Sequence, residues 1–316
     1  MAVGVLLIGA GRWARNIARA LSRIPDAELL CIADVRREAA DELSSLYAAK
    51  PYYSHLEAIR GCGADAAVIA VTPSQLARVA RDALNAGLHV FVEKPVAYTS
   101  REAEELARLA ESRGLVAVPG FIMRFNPVVQ WLKRSIAWSG VVEAYFYRLS
   151  QRPDHLKSTP IALDLAIHDI DMALWMLGGV EEASMTRVKT SIDEAVHITL
   201  RSGERTALIH VSGLSPVKYR RITVVTMDEL VEADTDKLEV ILHRHWAPPR
   251  RISLNGKEPL LAELEAFIAR VEGKGHESLW AQPSLWDAVR ALRVLEEAGH
   301  AEEAALHSGR YAGRPG

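Results

Sequence analysis

Short apolar runs with no polar alternation, separated by amphipathic stretches, fill the first 120 residues, and few folds accommodate that pattern. Residues 3–8, 28–33, 66–71, 88–92 and 115–118 have strand length, and 12–21, 36–47, 73–87 and 100–113 carry helical periodicity. A strand apolar on both faces must be covered on both, as in a parallel sheet flanked by helices. The order predicts an α/β, doubly wound (Rossmann-type) sheet. Pro73 suits a first helical turn, and Gly87 suits a helix stop.

Further along the pattern changes. Residues 126–136, 161–177, 260–272 and 284–298 read as helices, and 141–150, 183–190, 194–200, 206–212, 221–226 and 238–242 read as strands. Consecutive strands without intervening helices predict a second, α+β domain with a mainly antiparallel sheet. The boundary falls near Pro119-Gly120, giving a dinucleotide-binding domain at 1–120 and a substrate-binding and oligomerisation domain at 121–316. The tail from His307 is expected to fray.

Composition narrows the function. A net charge of −2 leaves no clustered basic excess for nucleic acid, and the pairs Arg36–Arg37, Arg220–Arg221 and Arg250–Arg251 read as solvated surface. No apolar stretch reaches the roughly 18 residues of a membrane span. The two cysteines, Cys31 and Cys62, have no metal-ligand spacing and imply no disulfide framework, which with the absence of a leader-like segment suits a reduced cytoplasmic setting. Asn and Gln total only eight, a trend found in heat-adapted proteins.

Gly9-Ala10-Gly11-Arg12-Trp13-Ala14 is a G-x-G-x-x-A turn between the first strand and first helix. Gly9 permits the tight turn, Gly11 lets the backbone approach a pyrophosphate, and the helix N-terminus offers its N–H groups to the phosphates. Asp34 ends the second strand at about the expected 20-residue distance, where a carboxylate accepts from ribose hydroxyls and repels a 2′-phosphate. NAD is therefore favoured, with Arg36 leaving NADP open. Glu93-Lys94-Pro95 ends another strand at the edge where open α/β sheets bind ligands. Lys94 there suits proton transfer or polarisation of a substrate oxygen, with Glu93 as its charge partner; a plain surface ion pair is the competing reading.

In 161–177, Asp164, His168 and Asp171 fall at i, i+4 and i+7 of a largely apolar helix, with Thr159-Pro160 as a start and Gly178-Gly179 as a stop. Carboxylates beside a buried imidazole can fix its tautomer and make His168 a general base. A satisfied core network and a metal site completed by His155 are the alternatives.

Taken together these motifs resemble the glucose–fructose oxidoreductase/inositol dehydrogenase (Gfo/Idh/MocA) family over nearly the whole chain. The matching segments are the glycine turn, Val71-Thr72-Pro73, Glu93-Lys94-Pro95, Gly120 with Arg124-Phe125, Asp164…His168…Asp171, and Pro283-Ser284…Asp287-Ala288. The resemblance implies that Gly9, Gly11, Arg12, Trp13, Asp34, Arg36, Thr72, Pro73, Glu93 and Lys94 face the cofactor. It implies that Lys94, His168 and Asp164 are catalytic, that the same three with Arg124 and Arg152 meet the substrate, and that no metal takes part. It also implies a homodimer or homotetramer. Inositol-type members tend to carry Asn or Met, then Arg, where this chain has Ile122 and Met123, and often Asn and His near the positions of Ser74 and Ala77. The run around Arg124-Phe125-Asn126-Pro127 looks more like members that oxidise the 3-hydroxyl of UDP-N-acetylglucosamine. The expectation is an NAD-dependent, nucleotide-sugar 3-dehydrogenase. The alternatives are a free sugar or inositol dehydrogenase, a non-catalytic NAD-binding sensor and, weakest, a metal-dependent hydrolase.

Overall fold

The computed structural model describes residues 2–307; the tail expected to fray lies, beyond His307, outside the described residues. By its packing the chain divides into two units, Met1–Asn126 with Lys257–Val289, and Pro127–Gly256 with Arg290–Gly316.

The first unit holds six parallel strands, β1 (Val3–Ile8), β2 (Ala27–Ala33), β3 (Lys50–Tyr52), β4 (Ala66–Ile69), β5 (His89–Val92) and β6 (Ala117–Pro119), in the order β3-β2-β1-β4-β5-β6. Order reverses beside β1, which makes the doubly wound topology and sets its switch point there. The helices α1 (Arg12–Leu21), α2 (Arg37–Leu46), α3 (His55–Gly61), α4 (Pro73–Asn85) and α5 (Ser100–Ser112) connect the strands. β1 is buried at every position, as expected of a strand covered on both faces. The β3 and α3 segments carry no apolar run of their own and are not legible from periodicity.

One correction concerns the cysteines. Cys31 in β2 and Cys62, which caps α3, are joined in a disulfide with Cα atoms 6.1 Å apart. Because α3 packs on β2, two cysteines 31 residues apart in sequence become neighbours.

In the second unit α6 (Pro127–Ser135) leads into β7 (Val141–Leu149); a helix whose α-helical part is α7 (Ile167–Leu177) follows, then seven strands. These are β8 (Glu182–Lys189), β9 (Glu194–Ser202), β10 (Arg205–Ser212), β11 (Tyr219–Thr226), β12 (Glu229–Asp234), β13 (Glu239–Arg244) and β14 (Arg250–Ser253). They form one sheet in the order β14-β13-β12-β11-β7-β10-β9-β8. All its pairings are antiparallel except β7 with β10. β9 alternates buried Val196, Ile198 and Leu200 with exposed His197, Thr199 and Arg201, the pattern of a sheet with one covered face.

The later helices are α8 (Pro259–Val271) and α9 (Leu285–His307). α8 returns to the first unit, where Leu260, Leu264, Phe267 and Ile268 join the core made by Val3, Val5, Ile17 and Phe91. Phe91 and Phe267 meet edge to face, with ring centroids 5.8 Å apart. Glu258 at the start of α8 is gripped by Arg19 and, at 3.2 Å, by Arg23.

Candidate active site

The parallel strands of the first unit end at one edge, so the residues just past β1, β2, β4, β5 and β6 collect there: Gly9, Asp34, Thr72, Lys94 and Gly120. Gly9 has φ +112°, and a Cβ there would collide with the carbonyl of Ala70; only glycine fits without strain. A Cβ on Gly11 would meet nothing within 4 Å, which leaves open space directly over the start of α1. A cleft of 580 Å³ opens beside it, lined by Ala10, Gly11, Arg12, Arg15, Arg36 and Glu42. Open backbone at a helix N-terminus, flanked by arginines, fits a pyrophosphate.

Asp34 accepts the Ala10 N–H at 2.8 Å and the Arg36 N–H at 2.9 Å, and the Arg36 guanidinium spans both its oxygens at 3.1 Å. Burial pushes this carboxyl up, but the bonds from Arg36 and Ala10 and the Arg36 charge outweigh burial and hold it below its ordinary value. It therefore stays ionised, suited to ribose hydroxyls and opposed to a 2′-phosphate. The Arg36 side chain is 62% exposed and can swing away from Asp34.

Glu93 serves a use the sequence did not suggest. Its carboxylate is buried and accepts the Trp13 indole N–H at 2.5 Å and the Lys94 backbone N–H at 3.2 Å. Burial raises its carboxyl above its ordinary value, against the Trp13 bond and the Lys94 charge. A Cβ on Gly120 would stand 3.0 Å from this carboxylate, so the glycine makes room for it. Glu93 thus ties the glycine turn to the end of β5, while Lys94 beside it is half-buried. Thr72 and Pro73 form the N-cap and first turn of α4. Arg124 is buried and bonded to Asp287 at 2.8 Å, and Asp287 also accepts from Ser284.

In the second unit, polar groups gather at one end of the sheet. β11 runs antiparallel to β7 and β9 antiparallel to β10, so the end of β7 meets the starts of β9 and β11. The helix there opens with a π turn over Ala162–Ala166 before α7. π turns are rare and often mark functional sites. Its first N–H, that of Ile161, donates to Glu194 at 2.6 Å rather than to a threonine cap. Gly178 closes α7 with φ +84°, as expected of a helix stop.

Asp164, His168, Asp169 and Asp171 are all buried, so the stripe is a buried feature of the helix. Arg152 reaches Asp164 at 3.5 Å, Asp193 at 2.5 Å and the Thr159 carbonyl at 2.8 Å. Burial pushes the Asp193 carboxyl up, but the bonds from Arg152 and the Glu194 N–H hold it below its ordinary value. Arg152 is therefore engaged by protein groups and holds Asp164 in place. Arg148 clamps Asp169, the neighbour of His168, through two bonds of 2.6 and 2.9 Å. Sequence reasoning missed Asp169, Asp193, Glu194 and Arg148; the period-2 burial of β7, which puts Arg148 in phase with Ala144 and Phe146, was the available signal. Among the described residues no group of three or more His, Cys, Asp or Glu side chains is arranged to hold a metal ion, and no helix is long and apolar enough to cross a membrane.

Residues 3–121 match the model of the Gfo/Idh/MocA oxidoreductase family, described as an NAD-binding Rossmann fold. The match spans the six-stranded sheet of the first unit. The chain is an oxidoreductase with an NAD-binding Rossmann fold, and the open glycine turn and ionised Asp34 fit NAD. Among curated relatives, a 4-carboxy-2-hydroxymuconate-6-semialdehyde dehydrogenase of Sphingobium sp. is 28% identical over 92% of this chain and 97% of its own. A UDP-N-acetylglucosamine 3-dehydrogenase of Acidithiobacillus ferrooxidans is 26% identical over 92% and 94%. An inositol 2-dehydrogenase of Rhizobium meliloti is 27% identical over 94% and 96%. The solved structure of the A. ferrooxidans enzyme superimposes with a TM-score of 0.87, at 22% identity over 97% of this chain and 99% of that one, a likeness of fold.

Proposed function

We propose that this protein oxidises a secondary hydroxyl of a sugar-type substrate, with a UDP-N-acetylglucosamine-like nucleotide sugar, attacked at its 3-hydroxyl, as the leading candidate. The observation that carries the reading is the buried Asp164–His168 helix start, whose Asp164 is held by Arg152 and whose neighbouring Asp169 is held by Arg148. Burying so many ionisable groups on one helix is costly, and such clusters concentrate at catalytic sites.

The roles follow from chemistry. His168 takes the hydroxyl proton as general base, and Asp164 stands by it near the substrate. Lys94, half-buried at the end of β5, polarises the substrate oxygen. NAD, when bound, supplies the hydride acceptor. Gly9, Gly11, Arg12, Trp13, Asp34, Arg36, Thr72, Pro73 and Glu93 make its site. The dinucleotide-binding role falls to 1–120 and the substrate role to 121–316. The similarity to a UDP-N-acetylglucosamine 3-dehydrogenase supports a nucleotide-sugar substrate, and the similarity to an inositol 2-dehydrogenase keeps a free cyclitol as the second reading.

The partially exposed face of the second unit's sheet carries Tyr145, Tyr147, His210 and Tyr219, with Tyr147 in edge contact with both His210 and Tyr219. That aromatic face supports a homodimer or homotetramer, checked by light scattering. A cytoplasmic location is part of the same reading; a disulfide there suits a heat-adapted source, in which intracellular disulfides are frequent.

The test is formation of reduced nicotinamide by the purified protein with NAD, UDP-N-acetylglucosamine and myo-inositol run in parallel. Turnover of the nucleotide sugar alone supports the leading reading. Turnover of inositol alone replaces it with the cyclitol reading. NAD binding without turnover of either points to a sensor.

A further inference from the structure

Three basic side chains open β11, and their fates differ. Lys218 pairs with Asp236 at 2.8 Å, and Arg221 pairs with Asp234 at 3.1 Å. Arg220, between them, has no carboxylate within 4 Å among the described residues, and its Nε is buried without a hydrogen-bond partner. The sequence reads Arg220–Arg221 as a solvated pair, but only Arg221 faces outward. Arg220 is in phase with buried Ile222 and Val224, so it lies on the covered face of the sheet.

Register places Arg220 directly opposite Arg148 on β7. Arg148 spends both of its bonds on Asp169, the residue next to His168. Arg148 and Arg220 are therefore neighbours on the sheet with Asp169 committed to Arg148, and Arg220 is left without a carboxylate of its own. Burial, then the charge of Arg148, push the Arg220 guanidinium below its ordinary value, while Asp236 and Asp169 act in the opposite direction. Such an arrangement is destabilising in the isolated fold. Residues that weaken a fold in this way concentrate where a ligand is bound. The two arginines the sequence offers for anion recognition are already engaged, Arg124 by Asp287 and Arg152 by Asp193 and Asp164.

We propose that Arg220 is the anion-recognition residue of the second unit, pairing with a phosphate or carboxylate oxygen of the substrate whose hydroxyl is oxidised at His168. This rests on the oxidoreductase reading given above. A guanidinium fork matches either group bidentately, and its half-buried setting raises the strength of the pairing above that of a solvated arginine. It also implies that the substrate is an anion, since a neutral sugar or cyclitol would leave Arg220 without a charged partner.

The experiment is calorimetric titration of the full-length protein, preloaded with NAD, with UDP and separately with tartrate. Wild type is compared with Arg220→Met and Arg220→Lys. The expected result is that one anion binds wild type, that Arg220→Met weakens it about tenfold or more, and that Arg220→Lys weakens it less. NAD affinity is expected to be the same in all three proteins, and the Tm of Arg220→Met no lower than that of wild type. Loss of UDP binding assigns Arg220 to a phosphate, and loss of tartrate binding assigns it to a carboxylate. Wild type binding neither anion, or both variants binding as wild type does, overturns the proposal. So does a fall in Tm for both variants with anion affinity retained, which makes Arg220 structural. Failure of NAD binding in wild type would instead remove the oxidoreductase reading, so the two failures are distinguishable.

Discussion

The two units hold their polar groups by different means. In the first, the cofactor edge is built largely from main chain: a glycine turn, a helix N-terminus and one carboxylate fixed by two backbone N–H groups. In the second, the polar end is built from buried side-chain ion pairs, Arg148 with Asp169 and Arg152 with Asp193 and Asp164. A main-chain site is insensitive to most side-chain changes and fails where a glycine is lost. An ion-pair site fails whenever one partner is removed, because the other is left charged and buried.

That contrast can be broken or sharpened by measurement. The largest effect is expected at Asp193: Asp193→Ala should cost about 3 kcal/mol of stability in urea unfolding, since it removes the nearest, two-bonded carboxylate of buried Arg152 and leaves only the longer contacts to Asp164 and Glu194. The same pair predicts the acid limb. Asp193 has a depressed pKa in the fold, so its contribution is complete above the ordinary carboxylate range and is lost as pH falls through the depressed value. An Asp193→Asn variant should therefore show a flatter stability profile on that limb; an unchanged profile would show that the pair is not what acid breaks.

His168→Ala comes next, with a loss of at least about 100-fold in the chemical step and NAD binding preserved. Unchanged single-turnover rates in that variant would remove His168 from the mechanism. The glycines then separate fold from function within one turn. Gly9→Val should cost about 1–3 kcal/mol, from positive φ and collision with Ala70. Gly11→Leu should leave Tm unchanged and weaken NADH by about tenfold or more, ~1.4 kcal/mol, read by the fluorescence of its reduced nicotinamide. Equal effects of the two on Tm would contradict the open space over Gly11. The smallest effect is expected at the exposed pair Arg81–Glu105, where Arg81→Ala should change stability by less than about 1 kcal/mol.

The same contrast governs what the sequence revealed. The first unit was legible because its strands are apolar runs and its glycine turn has a fixed local meaning; only the three-residue, proline-containing β3 and the short α3 escaped. In the second sheet β12 and β14 escaped, since Glu229–Asp234 mixes acidic and apolar residues and Arg250–Ser253 is led by two arginines. The helix bearing Asp164 and His168 was found, but its π turn was not, because the 3.6-residue period describes an α-helix alone. The partners of that helix were the least legible part. Asp169 lies 21 residues from Arg148, and Asp193 lies 41 from Arg152, so only the strand order makes them meet. The cysteines failed for the same reason.

The return of α8 to the first unit bears on how the chain is made. A ribosome releases the whole six-stranded sheet early, yet the apolar surface of α1, β1 and Phe91 stays uncovered until Leu260–Phe267 emerges, after every strand of the second unit. The domain that begins first thus waits for its last helix until the sheet of the second unit has been made, and the nascent cofactor domain has a long interval with an exposed hydrophobic face. A chain cut after residue 256 would hold every residue of the glycine turn and still be prone to aggregate.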